Sequence, residues 1–302
     1  MRNSRGRLLT IGSLLLASQL GLAGCSEQTD ISFVVIVKSS NYAQDTLGQL
    51  ELLNYHFFSE IFLRPGGSLT SATLARASDV PERFEYESRE DNYYFEGGHF
   101  NSQEEVDLAH PNGIYLIDLE TPTVTLRNFS LGLEGPSGAT DIPEPITVSL
   151  WQDDVQVHPL SVDPDKNLVF RWSAYSNGTA DPRGIVDDMI FLVIADCHGE
   201  RIFHTGLPFQ GEYTTFRTTE MLVESGALRA GHPYSVFVEF PHVVDSRQER
   251  GVPGFTSYAT ATYLDFQTKG LLTGQACPEA PPPMDTGQTD RMGSAEVQGA
   301  GR

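Results

Sequence analysis

Basic side chains are scarce in this chain of 302 residues, which has 20 lysines and arginines against 40 aspartates and glutamates. Only three of the 20 are lysines, and the formal net charge at pH 7 is -20. Nucleic-acid binding depends on clustered basic side chains that neutralise phosphates. The composition therefore argues against a nucleic-acid partner, and it also disfavours adsorption of the folded part onto anionic lipid.

The sequence also lacks the residue spacings of common catalytic and metal sites. It has no CxxC pair, and none of its eight dispersed histidines forms HExxH. The segment "GPSGA" around Ser137 lacks the closing glycine of a hydrolase elbow. The triplet Asp285-Thr286-Gly287 lies in a proline-rich segment without flanking apolar strands. These patterns predict no enzymatic activity and no cofactor.

One long uncharged stretch, residues 8–24, follows three arginines near the start of the chain. This order of a basic and an apolar segment is typical of a secretory signal peptide. A membrane-spanning helix needs roughly 20 apolar residues, and this stretch is shorter and contains two serines and a glutamine. It ends in Leu22-Ala23-Gly24-Cys25, which resembles the lipobox of bacterial lipoproteins.

The lipobox resemblance implies that residues 1–24 are removed and that Cys25 carries a diacylglyceryl thioether. Two or three acyl chains anchor a protein stably, because each buried CH₂ contributes about 0.8 kcal/mol. Ser26 follows the lipidated position, and in lipoproteins of diderm bacteria this resembles export to the outer membrane. Residues 25–30 then form a short tether to the membrane. The alternative is an ordinary signal peptide with a cysteine there by chance.

The mature chain consists of short alternating apolar runs separated by turn residues, which predicts an all-β fold. We expect an N-terminal β-sandwich-like domain at 31–133, a linker at 134–145 rich in glycine and proline, and a second domain at 146–270. One short helix is predicted in the first domain, because Ser102 and Glu105 have the spacing of a capping box. The composition of residues 271–302 predicts a disordered tail.

The second domain contains two motifs of a known fold. In "NLVFRWS", alternate residues including Trp172 share one face of a strand. The segment 228–238 has the pattern L-x-x-G-x-x-Y-x-V-x-V. Both resemble fibronectin type III and immunoglobulin-like domains, in which a core Trp and a Tyr corner occupy these positions. The resemblance implies two such antiparallel β-sandwich domains in tandem, with the first half similar in style.

Two long segments of the second domain provide candidate binding residues. In a type III sandwich, the loop after Trp172 and the loop after Phe240 lie at the same end. Loops on a rigid scaffold often carry binding, and arginine and aromatic residues are favoured at recognition surfaces. The alternative is that both loops are simply long and polar. The candidate binding residues are Tyr175, Arg183, Asp187, Arg247, Arg250 and Phe255.

Two further features of the second domain depend on export. An oxidising compartment permits a disulfide, and we expect a bridge between Cys197 and Cys277; the alternative is two reduced thiols. The acidic residues Asp181, Asp187 and Asp188 are compatible with either a loose calcium site or a solvated acidic loop.

These observations predict a lipid-anchored protein of the cell envelope that acts as a non-enzymatic binding or adhesion module, with a protein or glycan partner. A second hypothesis is an envelope enzyme or an accessory carbohydrate-binding subunit, whose catalytic carboxyls cannot be paired from spacing alone. A third hypothesis is a purely structural spacer.

Overall fold

The computed structural model of this chain describes residues 29–79, 82–89, 92–134, 142–272 and 277. The predicted signal peptide, the lipobox with Cys25, most of the tether and most of the tail lie outside the described residues. So does the central part of the predicted linker. In the described part of the chain, no helix has the length and apolarity needed to cross a membrane.

The first half of the chain forms eight strands and one helix. Their bounds are β1 (Ile31–Gln44), β2 (Leu50–Leu63), β3 (Ser71–Arg76), β4 (Phe84–Glu85), β5 (Glu87–Ser88), β6 (Asn92–Phe100), α1 (Gln103–Ala109), β7 (Ile114–Glu120) and β8 (Thr125–Gly132). Strands β4, β3, β7 and β8 form a four-stranded sheet in that order, whereas β1, β2, β6 and β5 belong to a larger sheet.

The second half forms eight further strands and one short 3-10 turn. Their bounds are β9 (Val148–Gln152), β10 (Val155–Val157), the turn Pro159–Ser161, β11 (Leu168–Trp172), β12 (Phe191–Asp196), β13 (Arg201–His204), β14 (Glu220–Val223), β15 (Pro233–Glu249) and β16 (Val252–Gln267). Strands β10, β9, β11 and β14 form a second four-stranded sheet, and the other four join the larger sheet.

The larger sheet has eight strands in the order β13-β12-β15-β16-β1-β2-β6-β5. The two halves meet where β16 pairs in parallel with β1, from Val34 opposite Gly254 to Gln44 opposite Leu264. The prediction of an all-β sandwich is confirmed. The predicted separation into tandem domains at residues 134–145 differs from the structure, because one continuous sheet contains strands from both sides of that segment.

The central position of β1 has a simple cause in its sequence. Its first eleven residues are all buried, and strands with two buried faces need a neighbour on each edge and cover on each face. The hairpin with β2 supplies one edge. Only β16, from the other half of the chain, supplies the second.

Two hydrophobic cores fill the space between the large sheet and the two smaller sheets. The first core contains residues of the first half, together with Val244, Val252 and Tyr258 from β15 and β16. The second core contains the predicted Trp172, which is 6% exposed. Its neighbour in this core, Tyr234, accepts a hydrogen bond from the Arg229 backbone N–H at 2.7 Å. The second half is thus a β-sandwich built over one end of the large sheet.

The predicted loop after Phe240 is wrong, because this segment continues as a β-hairpin. Strand β15 runs to Glu249, and β16 begins at Val252. Both turn residues have positive φ, 49° at Arg250 and 81° at Gly251, which matches the two-residue turns that suit twisted hairpins. The hairpin is stable there because its apolar side chains pack in the core of the first half.

The predicted helix is confirmed as α1. The Ser102 hydroxyl accepts a hydrogen bond from the Glu105 backbone N–H at 3.2 Å, as a capping residue does. The helix is tied to the large sheet by Lys38, whose ammonium group is fully buried. It donates to the Asp107 carboxylate at 2.6 Å and to the Asn112 side-chain oxygen at 2.7 Å. Removing such a paired buried charge commonly costs about 3 kcal/mol or more.

The predicted disulfide is confirmed between Cys197 and Cys277, which are 80 positions apart. It joins residue 277 to the turn between β12 and β13. The sulfurs also lie near His232, but a disulfide leaves no thiolate for a metal ion. The bridge therefore holds the segment after the last strand against the second sandwich.

We predict that replacing both cysteines, Cys197→Ser with Cys277→Ser, lowers the free energy of unfolding by about 4 kcal/mol. The bridge removes loop-closure entropy from the unfolded chain, and this effect is large for a long loop. Urea unfolding of the oxidised wild type and the double variant measures the difference. Added reductant should destabilise the wild type alone, and equal stability of the two oxidised proteins would contradict the prediction.

Candidate functional site

Two of the predicted binding residues lie in the interior. Tyr175 is 7% exposed, and its ring stacks on Phe240 with ring centroids 4.5 Å apart. Phe255 is 3% exposed and belongs to a third hydrophobic cluster. Their assignment to an exposed loop surface is therefore corrected. Phe255 lies within strand β16, which continues through the predicted loop, whereas Tyr175 lies in the loop after β11 and is buried by its packing on Phe240.

The structure brings together two predicted residues from different segments. Arg183 and Arg247 both bind the Asp245 carboxylate, which is 6% exposed. Arg183 also donates to the Ser246 backbone oxygen at 2.6 Å. These contacts hold the segment after β11 against the extended part of β15. About half of each arginine side chain is exposed, so both guanidinium groups remain at the surface.

The remaining predicted residues lie apart from that pair. Asp187 accepts hydrogen bonds from the Asp181 backbone N–H and from Arg217. Arg250 donates to the Thr125 backbone oxygen at 2.9 Å, so it lies against the first half. The six predicted residues do not form one surface.

The three acidic residues of the possible calcium site already accept hydrogen bonds from groups of the protein itself. Asp181 accepts hydrogen bonds from three backbone N–H groups of its own loop and from the Ser246 hydroxyl. Asp188 is 1% exposed and accepts from His242 at 2.9 Å and from two further backbone N–H groups. Together with Asp187, these carboxylates fix the loop to the sheet.

A cavity lies on the other face of the eight-stranded sheet, opposite the two smaller sheets. It is a concavity of about 220 Å³, here called the sheet concavity. Strands β2, β6, β12, β15, β16 and β1 all contribute to its lining. The side chains that line it include Val37, His56, Phe58, Glu60, Arg89, Asn92, Tyr94, Phe237, Glu239, Ser257, Ala261 and Tyr263.

Strand alternation decides which residues face the sheet concavity. In β15, Phe237 and Glu239 line it, whereas Val238 between them lies in the second core. In β2, Glu60 lines it, and the next residue, Ile61, lies in the first core. Successive side chains of a strand point to opposite faces, so one set of strands builds both the cores and the concavity.

One end of this face is covered by loops. Val186 and Met189, before β12, pack on Phe33 and Phe255 in the third hydrophobic cluster. Leu207 and further apolar residues of the segment after β13 pack against the same cluster. The sheet concavity is therefore bounded by folded chain and is not a flat sheet surface.

Two glutamates lie in the sheet concavity, one from each half of the chain. Burial raises the pKa of Glu60 to about 8, and the charge of Glu239 contributes to the shift. The charge of Arg89 and the hydrogen bond that the Asn92 amide donates to Glu60 at 2.8 Å act in the opposite direction and lower this pKa. Burial raises the pKa of Glu239 to about 7. At neutral pH the Glu60 carboxyl is thus mainly protonated and can donate a hydrogen bond.

Ser257 adds a further polar group to the lining. It is 0% exposed, and its hydroxyl has no hydrogen-bond partner among the residues that the structure describes. A buried hydroxyl without a partner costs about 1 to 3 kcal/mol. Because the hydroxyl is itself inaccessible, a ligand could reach it only after a local rearrangement of the lining.

Sequence reasoning missed the sheet concavity, although the sequence contains a signal for it. Glu60 and Glu239 are single acidic residues within the apolar runs "FFSEIF" and "VFVEF". A carboxyl at such a position faces either solvent or a site that uses it, since unpaired charges are rarely buried. The pattern does not reveal that the two runs contribute to one face.

We predict that Glu60 and Glu239 contribute less to stability as the pH rises from about 4.5 to about 8. A carboxyl with a folded-state pKa raised from 4.5 to about 8 stabilises the fold while it is protonated, and this contribution is lost as the pH rises through the folded-state value. Urea unfolding at several pH values measures this contribution, which is at most about 8 kcal/mol for both glutamates together, because one pKa unit corresponds to about 1.4 kcal/mol.

The matched variants separate this effect from general titration. Glu60→Gln combined with Glu239→Gln should flatten the pH dependence, because glutamine does not ionise. Glu85→Gln, at an exposed position, should leave the wild-type slope unchanged. An unchanged slope in the double variant would show that these two carboxyls are not the cause.

No protein-family model matches this sequence, and no curated protein matches it. Among solved structures, the BSP domain of a biofilm associated protein is similar with a TM-score of 0.19 and 10% identity, over 78% of this chain and 30% of that chain. The FN1-FN3 domains of chicken CNTN1 match with a TM-score of 0.22 and 8% identity, over 80% of this chain and 67% of theirs. The IG1+IG2 domains of DIP-gamma match with a TM-score of 0.19 and 10% identity, over 79% of this chain and 96% of that chain. TM-scores this low assign neither a fold family nor a function, so the sandwich architecture rests on the strand pairing described above.

Proposed function

We propose that this chain is an exported, lipid-anchored, non-enzymatic binding module that holds an apolar group of a protein partner in its sheet concavity. The observation that carries the proposal is the concavity itself, which has an apolar lining and a few polar groups. Such a combination is typical of binding sites, where the apolar surface supplies affinity and the polar groups supply orientation.

The chemistry of the lining favours an apolar group over a sugar. Val37, Phe58, Phe237 and Ala261 present carbon surface, and Glu60 is mainly neutral at pH 7. Sugar recognition needs many satisfied polar contacts, whereas burial of apolar surface contributes about 25 cal/mol per Å². Glu60 would then bind a polar atom at the edge of the apolar group.

The two glutamates also raise the alternative of a glycoside hydrolase, which uses a pair of carboxyls in a cleft. That chemistry needs environments that separate the two pKa values, so that one carboxyl is protonated while the other is ionised. Here burial raises the pKa of both, Glu60 to about 8 and Glu239 to about 7. The pair therefore lacks a strongly ionised member at neutral pH, and we favour binding over catalysis.

The location in the proposal rests on the sequence. The lipobox resemblance at Leu22 to Cys25 supports a lipid anchor, and Ser26 supports delivery to the outer membrane. The disulfide between Cys197 and Cys277 suits an oxidising compartment outside the cytoplasm. A protein anchored in this way would meet its partner at the cell envelope.

We predict that a photocrosslinker in the sheet concavity captures a discrete protein partner in the native envelope. Benzoylphenylalanine replaces Phe237, which lines the concavity, and in a control it replaces Val155, which is 63% exposed on β10. After irradiation, the adduct is identified by mass spectrometry. Ala261→Phe in the first background fills the cavity and should lower the adduct yield about tenfold, because it occupies the apolar volume.

Other outcomes would reject the proposal. Adducts of equal yield at Phe237 and Val155 would indicate random collision. A crosslinker at Arg250 that captures the partner while one at Phe237 does not would favour recognition by the hairpin tip. Adducts with lipid or glycan alone would replace the proposed partner class.

We predict that Cys25→Ala abolishes incorporation of radiolabelled palmitate and releases the protein from the membrane fraction. The thioether forms only on that cysteine in the lipobox pattern, whereas Cys197 and Cys277 form a disulfide. Labelling followed by fractionation measures both effects. Cys197→Ser with Cys277→Ser serves as the control and should keep the label, and persistent labelling of Cys25→Ala would disprove the lipid anchor.

A further inference from the structure

Two histidines and a glutamate lie together at one edge of the sheet concavity. His56 of β2 and Glu96 and His99 of β6 place one ligand atom each within 4.8 Å of the others. The His56 Nε2 and Glu96 Oε1 atoms are 2.8 Å apart, and the two imidazole rings stack with centroids 4.1 Å apart. None of these residues takes part in the function proposed above, although His56 also lines the concavity.

A β-bulge is what places all three side chains on one face. Residues 96 and 99 are three positions apart, so in a regular strand they would point to opposite faces. Here His99 lies opposite His56 and Glu96 lies opposite Phe58, which leaves Gly97 as the extra residue of β6. Bulges often redirect side chains beside functional sites.

The bulge can form only with glycine. Gly98 has φ of 110°, and a Cβ atom on Gly97 would lie 2.7 Å from the Phe57 backbone oxygen. A larger residue at either position would restore regular pairing or disrupt the strand. The sequence "EGGH" therefore commits this part of β6 to an arrangement that costs strand stability and brings Glu96 and His99 together.

The surrounding groups orient these side chains as a second layer of a metal site does. The Asn54 side-chain oxygen lies 3.2 Å from His99 Nδ1, and this contact orients the imidazole ring. The Gly98 backbone N–H and the Tyr94 hydroxyl donate to the Glu96 carboxylate at 2.9 Å and 3.1 Å. These contacts restrict the ligand atoms before any metal binds.

We propose that His56, Glu96 and His99 bind one zinc ion at the edge of the sheet concavity. Two imidazoles and a carboxylate are a donor set that zinc accepts, and three protein ligands leave a fourth position for water or another donor. Ligand atoms around tetrahedral zinc lie about 3.3 Å apart, since each is about 2.1 Å from the metal. The three atoms lie within 4.8 Å of one another, so metal binding requires the two stacked imidazole rings to rotate until their nitrogen lone pairs converge.

Calorimetric titration of the chelator-treated full protein with Zn²⁺ tests this proposal. We expect one site per chain with a dissociation constant in the micromolar range or tighter. His99→Ala should weaken binding about tenfold or more, as loss of a ligand does. Glu96→Gln is a second, nearly isosteric variant with the same expected direction, which remains informative where His99→Ala fails to fold. Tetrahedral Co²⁺ absorption should appear in the wild type and be lost in both variants.

The control variant is His198→Ala, since His198 is exposed and far from the site in the chain. It should bind Zn²⁺ as the wild type does. The absence of binding in the wild type would overturn the proposal, and so would equal affinity of the wild type, His99→Ala and Glu96→Gln. Either result would leave the cluster as an ion pair that stabilises the bulge. Because the readout is metal binding, failure here is distinguishable from failure of the proposed partner binding.

Discussion

The parallel pairing of β1 with β16 is the interaction on which the rest of this structure depends. The first eleven residues of each strand are buried, so neither strand can be an edge or face solvent. Their pairing makes one sheet from two sets of four strands. It also requires cover on both faces, which the two smaller sheets provide on one side and the loops beside the sheet concavity provide in part on the other.

The site is a consequence of the same pairing. Glu60 and Glu239 come from different halves of the chain, and they line one concavity only because β1 and β16 join those halves. Burial in this face raises the pKa of both carboxyls. The concavity therefore depends on the integrity of the whole sheet, and neither half alone contains a complete lining.

Local features were predictable wherever a short segment determines its own structure. The Ser102 cap and the burial of Trp172 follow from spacing and alternation within a few residues. The segment 241–255 has the sequence character of a loop, because it is rich in charged residues and contains two prolines. The prediction of a loop there is nevertheless wrong. Its strand structure depends on packing against the first half, and on contacts such as the one between Asp245 Oδ2 and the Gly132 N–H at 2.8 Å.

The sequence by itself determined the all-β class, the short helix and the disulfide partners, and it predicts the lipid-anchoring signal. Each of these depends on residue type and spacing over a short range or on the scarcity of cysteine. Only the tertiary structure decided that the two halves share a sheet and that Glu60 and Glu239 meet. It also decided that the bulge at Gly97 places Glu96 beside His56. Those relations are set by strand partners distant in the chain, and alternation within one strand does not specify its partner.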